Sequence, residues 1–413
     1  MKKVLGVIGA LALGVALAQS VKTELVGFAV LEADTFAEGP ASGQFTSSGG
    51  KLETPRFRSQ PVQGFSGIQF GENGSYWVLP DNGFGAKYNS ADYLLRLYNI
   101  TLEPKTAQGG AGAVKINRFV SLRDPDKKVP FPIANEASSE RLLTGFDFDV
   151  ESFVLVGNEI WIGDEFGPYL LRFDNTGKLL EAPMVTPDFG AGKDPAKDFV
   201  RSPQNPTVLA SSPQPGQPSS ANIASSGGYE GMAANPAKTK LYALLEKSVV
   251  PETGILRLNE FDVATRKFTG LKGYYKLEDP ANAIGDVATV NDNEYLVIER
   301  DNGSGATAKF KRVYKIDIGK KDAQNVFAKE LVADLMNIAD SSRLAPSTQN
   351  GVFTFPFVTI EDVVVLNATT ILVANDNNYD GKGGRGADVK DPNEFIWLKL
   401  EKPLTLGAGI GGR

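Results

Sequence analysis

The chain has 413 residues, a formal charge of -6, and neither cysteine nor histidine. Those two absences exclude disulfide staples, thiolate chemistry, Ser-His nucleophilic systems and the usual zinc sites. Any metal must then be held by oxygen, which suits hard cations and above all calcium, while the acidic balance argues against nucleic-acid binding.

The chain opens on MKKVLGVIGALALGVALAQS, two lysines before an apolar stretch and a small-residue ending at Ala16-Leu17-Ala18. This reads as a signal peptide over residues 1–18 with cleavage before Gln19, too short to span a bilayer and followed by no second apolar block. The expectation is an exported protein, secreted, periplasmic or associated with the cell envelope. Residues 19–413 then form one domain. A lipid-anchored or buried N-terminal helix is the alternative, although no cysteine offers a lipoprotein anchor.

TELVGFAVL (23–31) is strand-like but has no hairpin partner of its own. After it, one pattern recurs five times: a polar or acidic residue, a short apolar run, a turn, a second apolar run, and an acidic residue 13 to 16 positions after the first. The units are 64–85, 148–168, 228–248, 284–303 and 360–378, each a β-hairpin by composition and length. Further strands follow most of them, at 93–102, 169–183, 254–270 and 311–318. Helical periodicity is confined to a possible short helix in NVFAKELVADLMNIAD (325–340). The segments 202–228 and 380–392 read as long exposed loops. EFIWLKLE (394–401) is a last strand, able to pair with 23–31 and close a ring. Repeated antiparallel units of three to four strands are the grammar of an all-β propeller. Five clear blades and a closing one predict six.

In such a ring one end of every inner hairpin faces the same mouth, so acids scattered along the chain converge. The candidate metal ligands are Glu151, Asp164, Glu165, Glu230, Glu246, Asp286, Glu299, Glu361, Asp376 and Asn377, with Asn82, Asn302 and Asn378 as further amide donors. Bare carboxylates at such spacing raise one another's pKa at a cost in stability, and calcium removes the conflict. A single acid at a strand end is ordinarily a solvated turn residue; five coincident ones favour a site. Glu151, Glu230 and Glu299 are the candidate catalytic carboxylates, with Lys87, Lys247 and Arg300 for substrate phosphate. Arg385 and Tyr88 lie near the same ends. DNNYDGKGG opens like a helix-flanked calcium loop, but Ala387 stands where a bidentate glutamate is needed, and Asp380 is left as ligand or turn former.

The blocks GFSGIQF, WVLPDNGFGAKYNSADYLLRLY, LLTGFDFDVESF, IWIGDEFGPYLLRFDNTGKLLEAP, GYEGMAANP, LYALLEKS, AIGDVATVNDNEYLVIERDNG and FTFPFVTIEDVVVL resemble, in order, the bacterial phytase-like proteins described as having esterase-like activity of the phytase family. The resemblance covers nearly all of residues 24–401 and implies a secreted propeller that hydrolyses a phosphate ester. The resulting expectation is a monomeric, calcium-dependent phosphoric ester hydrolase with a small-molecule substrate and metal-activated water. Two alternatives stand beside it: a non-catalytic calcium-stabilised envelope propeller, and a calcium lactonase or other carboxylic ester hydrolase.

Overall fold

The protein is described from a computed structural model over residues 21–211 and 219–412. The expected signal peptide lies outside the described residues. TELVGFAVL alternates buried and half-buried positions, as a strand between two layers must, and forms β1 (Thr23–Leu31). A short excursion follows, with β2 (Phe36–Ala37) paired antiparallel to β3 (Gln60–Pro61).

The first of the five expected hairpins is β4 (Phe65–Phe70) with β5 (Tyr76–Pro80), extended outward by β6 (Arg96–Glu103) and β7 (Ala113–Ser121). The next sheet is β8 (Val150–Val156), β9 (Glu159–Asp164), β10 (Tyr169–Asp174) and β11 (Met184–Val185). A one-turn helix α1 (Pro206–Ala210), capped by Asn205, interrupts the segment expected as an open loop. Then come β12 (Tyr229–Ala234), β13 (Lys240–Leu245), β14 (Ile255–Asp262) and β15 (Lys267–Lys276), and after them β16 (Ala283–Thr289), β17 (Glu294–Arg300), β18 (Lys311–Lys321) and β19 (Phe327–Asp334). A small ladder of β20 (Ile338–Ala339) and β21 (Val352–Phe353) precedes β22 (Asp362–Asn367), β23 (Thr370–Ala374) and β24 (Asn393–Lys399).

Closure is made by the two ends of the chain. β24 pairs with β23 on one side and with β1 on the other, so the terminal strands complete the fifth sheet instead of building a sixth. Among the described residues the inner strands touch in a cycle, β4 to β8, β12, β16, β22 and back to β4. The expected six blades are thus corrected to five four-stranded units. The expected helix at 325–340 is corrected as well: its first part is β19, recruited by the open edge of β18. Tertiary pairing overrides the weak helical pattern there.

Between neighbouring sheets lie five apolar clusters, one per interface. One joins Leu97 to Phe153 and Ile162, and another joins Val78 and Tyr98 to Leu372 and Phe395 across the point of closure. Full burial of each such side chain contributes roughly 1.5–3 kcal/mol, so every interface holds the ring shut. At the end of the channel opposite the site, the C-terminal segment crosses the opening. Leu404 N–H donates to Ala368 O (2.7 Å), Gly407 N–H to Val290 O (2.8 Å) and Gly412 N–H to Leu366 O (2.9 Å).

Candidate functional site

The same irregularity recurs at the start of the inner hairpins. The register of β4 and β5 shifts between Phe65 and Gly67, of β8 and β9 between Val150 and Ser152, of β12 and β13 between Tyr229 and Gly231, and of β16 and β17 between Ile284 and Val287. A β-bulge leaves its extra residue unpaired and re-aims it. The residues at these positions are Ser66, Glu151, Glu230 and the Gly285-Asp286 pair. In the fifth unit, Glu361 precedes β22 and donates its N–H to Ala374 O at 3.3 Å.

These ends surround a cavity of about 140 Å³, lined by carboxylates of Asp81, Asp149, Glu151, Glu165, Glu230, Glu246, Glu361 and Asp376 together with Arg300. Asn82, Ser226, Thr359 and Asn378 complete its polar wall. One oxygen from each of Asp149, Glu151 and Glu165 lies within 4.8 Å of the other two, and the same holds for Glu165, Glu230 and Glu246. All five residues are buried. Glu165 Oε1 and Glu230 Oε1 have no hydrogen-bond partner although water cannot reach them.

The opposite wall is satisfied by protein donors. Arg300 Nη2 stands 3.3 Å from Glu361 Oε1, 3.5 Å from Glu246 Oε1 and 3.9 Å from Glu230 Oε1. Ser66 donates to Glu361 Oε2 at 3.0 Å, and Lys247 Nζ lies 2.7 Å from Glu246 Oε2. Asp376 accepts from Asn378 N–H (2.6 Å) and Thr359 O–H (3.1 Å).

Burial is the main reason that protons are retained here, because the charged form loses its hydration. It pushes Glu361 up to about 8, with the Asp376 charge adding to the rise and Arg300 opposing it. Asp376 is pushed up to about 6 by burial, against the pull of Asn378 N–H and Thr359. Asp81, Glu151, Glu165 and Glu230 are held well above the carboxylate range by burial, and then by the neighbouring charges of Asp376, Asp149, Glu246 and Glu361 respectively.

Of the ten expected metal ligands, six line the cavity: Glu151, Glu165, Glu230, Glu246, Glu361 and Asp376. The other four turn to structural partners. Asp164 accepts from the N–H groups of Asp149 (2.9 Å) and Gly167 (2.7 Å). Asp286 accepts from Val287 N–H (2.6 Å) and Val363 N–H (2.8 Å), pinning β16 to β22. Asn377 bridges Gly64 N–H (2.9 Å) and Asp391 O (2.9 Å). Glu299, expected to be catalytic, has both oxygens committed, to Tyr275 O–H (2.7 Å), Glu278 N–H (2.7 Å), Asn282 (2.9 Å) and Lys329 (3.1 Å).

Among the expected cations, Arg300 faces the cavity and Lys247 reaches its rim through Glu246. Lys87 does not line it: its ammonium donates to Phe146 O and lies over the rings of Phe146 and Phe166. Asn302 holds Arg300 Nη1 at 2.9 Å. Arg385 pairs with Glu394, Asp380 pairs with Arg56, and Tyr88 packs on Phe146. The 380–392 segment is tied back by Asp391, which accepts from Gly384 N–H (2.9 Å).

Two acids in the wall, Asp81 and Asp149, are absent from the expected set. Asp149 lies two residues before Glu151, just ahead of β8, and the bulge at Glu151 removes the regular alternation that would have placed it on a face. Asp81 ends the first hairpin just as Asp376 ends the fifth, and its Oδ1 accepts from Gly83 N–H at 2.8 Å.

Comparison with solved structures returns low-scoring likenesses. A luciferin-regenerating enzyme is 10% identical with a TM-score of 0.37, covering 95% of this chain and 98% of that one. The periplasmic gluconolactonase of Pseudomonas aeruginosa is 13% identical with a TM-score of 0.31, covering 94% and 98%. The PQQ-bound aldose sugar dehydrogenase of Streptomyces coelicolor is 11% identical with a TM-score of 0.36, covering 93% and 100%. Scores of this size bear on no question of chemistry. No curated protein matches. The phytase-like family model, described as esterase-like activity of phytase, matches residues 60–379, and this chain belongs to that family.

Proposed function

We propose that the cavity binds calcium and hydrolyses a phosphoric ester of a small molecule. The observation that carries this reading is the pair of carboxylate trios sharing Glu165, with Glu165 Oε1 and Glu230 Oε1 buried and without a hydrogen bond. Orphaned buried carboxylate oxygens are costly unless something neutralises them. An all-oxygen donor set in a chain without histidine or cysteine fits a hard cation. Asp149, Glu151 and Glu165 would be its first ligands.

Calcium bound there would hold the carboxylates ionised, polarise a phosphoryl oxygen and acidify a water. The chain's own residues supply the rest. Glu230 is placed to orient the attacking water and accept its proton. Lys247, whose side chain is 36% exposed beside Glu246, meets the substrate's phosphate at the rim as a point charge. The water oxygen bonds to phosphorus, the ester P–O bond breaks, and the alcohol leaves with a proton. The family's esterase-like description supports ester hydrolysis as the reaction class.

We also read residues 1–18 as an export signal, placing the protein outside the cytoplasm, and the chain as a monomer. Among the described residues no helix is long and apolar enough to cross a membrane. The test is hydrolysis of p-nitrophenyl phosphate and of a lactone by metal-stripped protein, with and without added calcium. Phosphate release that depends on calcium supports the proposal. Calcium-dependent lactone opening alone transfers the site to carboxylic esters, and turnover indifferent to calcium overturns the mechanism.

A further inference from the structure

The cavity wall is asymmetric in a way that its composition hides. On one side, Glu165 Oε1 has no hydrogen-bond partner, while Glu230 Oε1, also without a hydrogen bond, stands where the two sides meet, 3.9 Å from Arg300 Nη2. On the other side, all four oxygens of Glu246 and Glu361 are engaged by protein cations or donors: Arg300 and Lys247 on Glu246, Arg300 and Ser66 on Glu361. The guanidinium responsible is itself buried, with its side chain 6% exposed, and stands within 3.9 Å of three carboxylates, Glu230 and Glu246 from one sheet and Glu361 from another. Its other terminal nitrogen is tied to Asn302 at 2.9 Å.

We propose that Arg300 occupies the place of a second divalent cation. It neutralises the Glu230, Glu246 and Glu361 side of the ring, so that metal binding is confined to the Asp149, Glu151 and Glu165 side. The inference rests on the reading of the cavity as a calcium site, and deepens it by assigning its stoichiometry. Its physical basis is the spacing of the acids. Glu165, Glu230 and Glu246 already bring three oxygens within 4.8 Å of one another, a geometry that would take a metal were no guanidinium beside it. A fixed positive charge a few ångströms away raises the cost of placing a dication in the same low-dielectric pocket. Arg300 is thus a positioning residue that determines where the metal sits and how many are held.

The experiment counts calcium per chain by equilibrium dialysis with elemental analysis, together with isothermal calorimetry, on wild type, R300K, R300Q and R300M. Wild type and R300K are expected to bind the same number, since both keep a cation in place. R300Q is expected to bind one more calcium per chain, and its melting temperature is expected to become more dependent on calcium than that of wild type. R300M guards against misfolding of R300Q: it fills the buried space without a charge and should likewise bind one more calcium. If the folded neutral variants bind the wild-type number, or if R300K gains a calcium, the assignment of Arg300 is overturned while the metal site itself stands. If neither wild type nor R300Q binds calcium, both readings fall.

Discussion

Stability should depend on pH and calcium together, and the direction follows from the protons held in the cavity. Glu361 sits at about 8 against an ordinary 4.5, and Asp376 at about 6 against an ordinary 3.8. Each therefore contributes stability in its neutral form. That contribution is fully present below the ordinary value and is lost as pH rises, between about 4.5 and 8 for Glu361 and between about 3.8 and 6 for Asp376. At pH 7 the accumulated loss is on the order of 3 kcal/mol for each group, from about 1.4 kcal/mol per pKa unit. Calcium binds the ionised cluster, so it should restore most of this loss at high pH and little at low pH. The assay is thermal melting of metal-stripped protein between about pH 5 and pH 8, with and without about 1 mM calcium. The stripped protein should lose several degrees of melting temperature across that range. The calcium-induced shift should be larger at pH 8 than at pH 5 by several degrees. A residual slope should persist in calcium, because Asp286, pushed up to about 7 by burial, lies outside the cavity. A calcium shift equal at both ends, or stripped protein that grows more stable with rising pH, refutes the reasoning.

Further outcomes separate site from scaffold. Glu165→Gln removes the carboxylate shared by both trios and should weaken calcium binding about tenfold or more by calorimetry, with the fold intact by circular dichroism. Glu299→Gln should do the reverse: calcium affinity unchanged, but unfolding in urea easier by about 2–4 kcal/mol, because Lys329 and Tyr275 lose a buried ionic partner. Gly285→Ala would place a Cβ 1.9 Å from Ile360 O, where the inner strands β16 and β22 meet. Backbone cannot yield cheaply there, so a loss of about 3 kcal/mol or more is expected in the same assay. Deleting residues 404–413 strips the buried Leu404 and the packed Ile410 from the far end of the channel and should lower stability by about 3–5 kcal/mol. Calcium affinity should be retained, because the tail lies opposite the acidic mouth.

The architecture was legible because its signals are local and repeated. Five hairpins stood out from alternating apolar runs and turn residues, and all five form; four of them bring carboxylates to one opening, and the remaining one, β16 with β17, brings Arg300. The blade number was not legible, because strand composition says nothing about which neighbour an edge will choose. EFIWLKLE and TELVGFAVL were rightly paired with each other, yet the same strands also complete the sheet of β22 and β23. The 325–340 segment shows the same limit: Phe327–Asp334 has an ambiguous period, and the free edge of β18 decides its state.

At the site, the sequence identifies where acids gather but not which member of an adjacent pair faces inward. Glu165 lines the cavity while Asp164 turns to backbone N–H groups, and Glu361 lines it while Asp362 is fully buried with both oxygens unpartnered. Strand parity would fix the choice if the ladders were regular, but a bulge at Glu151, Glu230 and Asp286 resets parity at the very residues in question. The same bulge has opposite results in different sheets. Glu151 and Glu230 are aimed at the cavity, whereas the carboxylate of Asp286 is captured by the N–H groups of Val287 and Val363. Each bulge carries one extra residue, since Gly285 and Asp286 together oppose Ile298, so what separates them is the set of donors in reach: Asp286 meets two backbone N–H groups, one of them on the neighbouring inner strand. Function in this fold is therefore set less by how many acids the chain carries than by what each bulged acid meets, which decides whether it faces the cavity or staples one blade to the next.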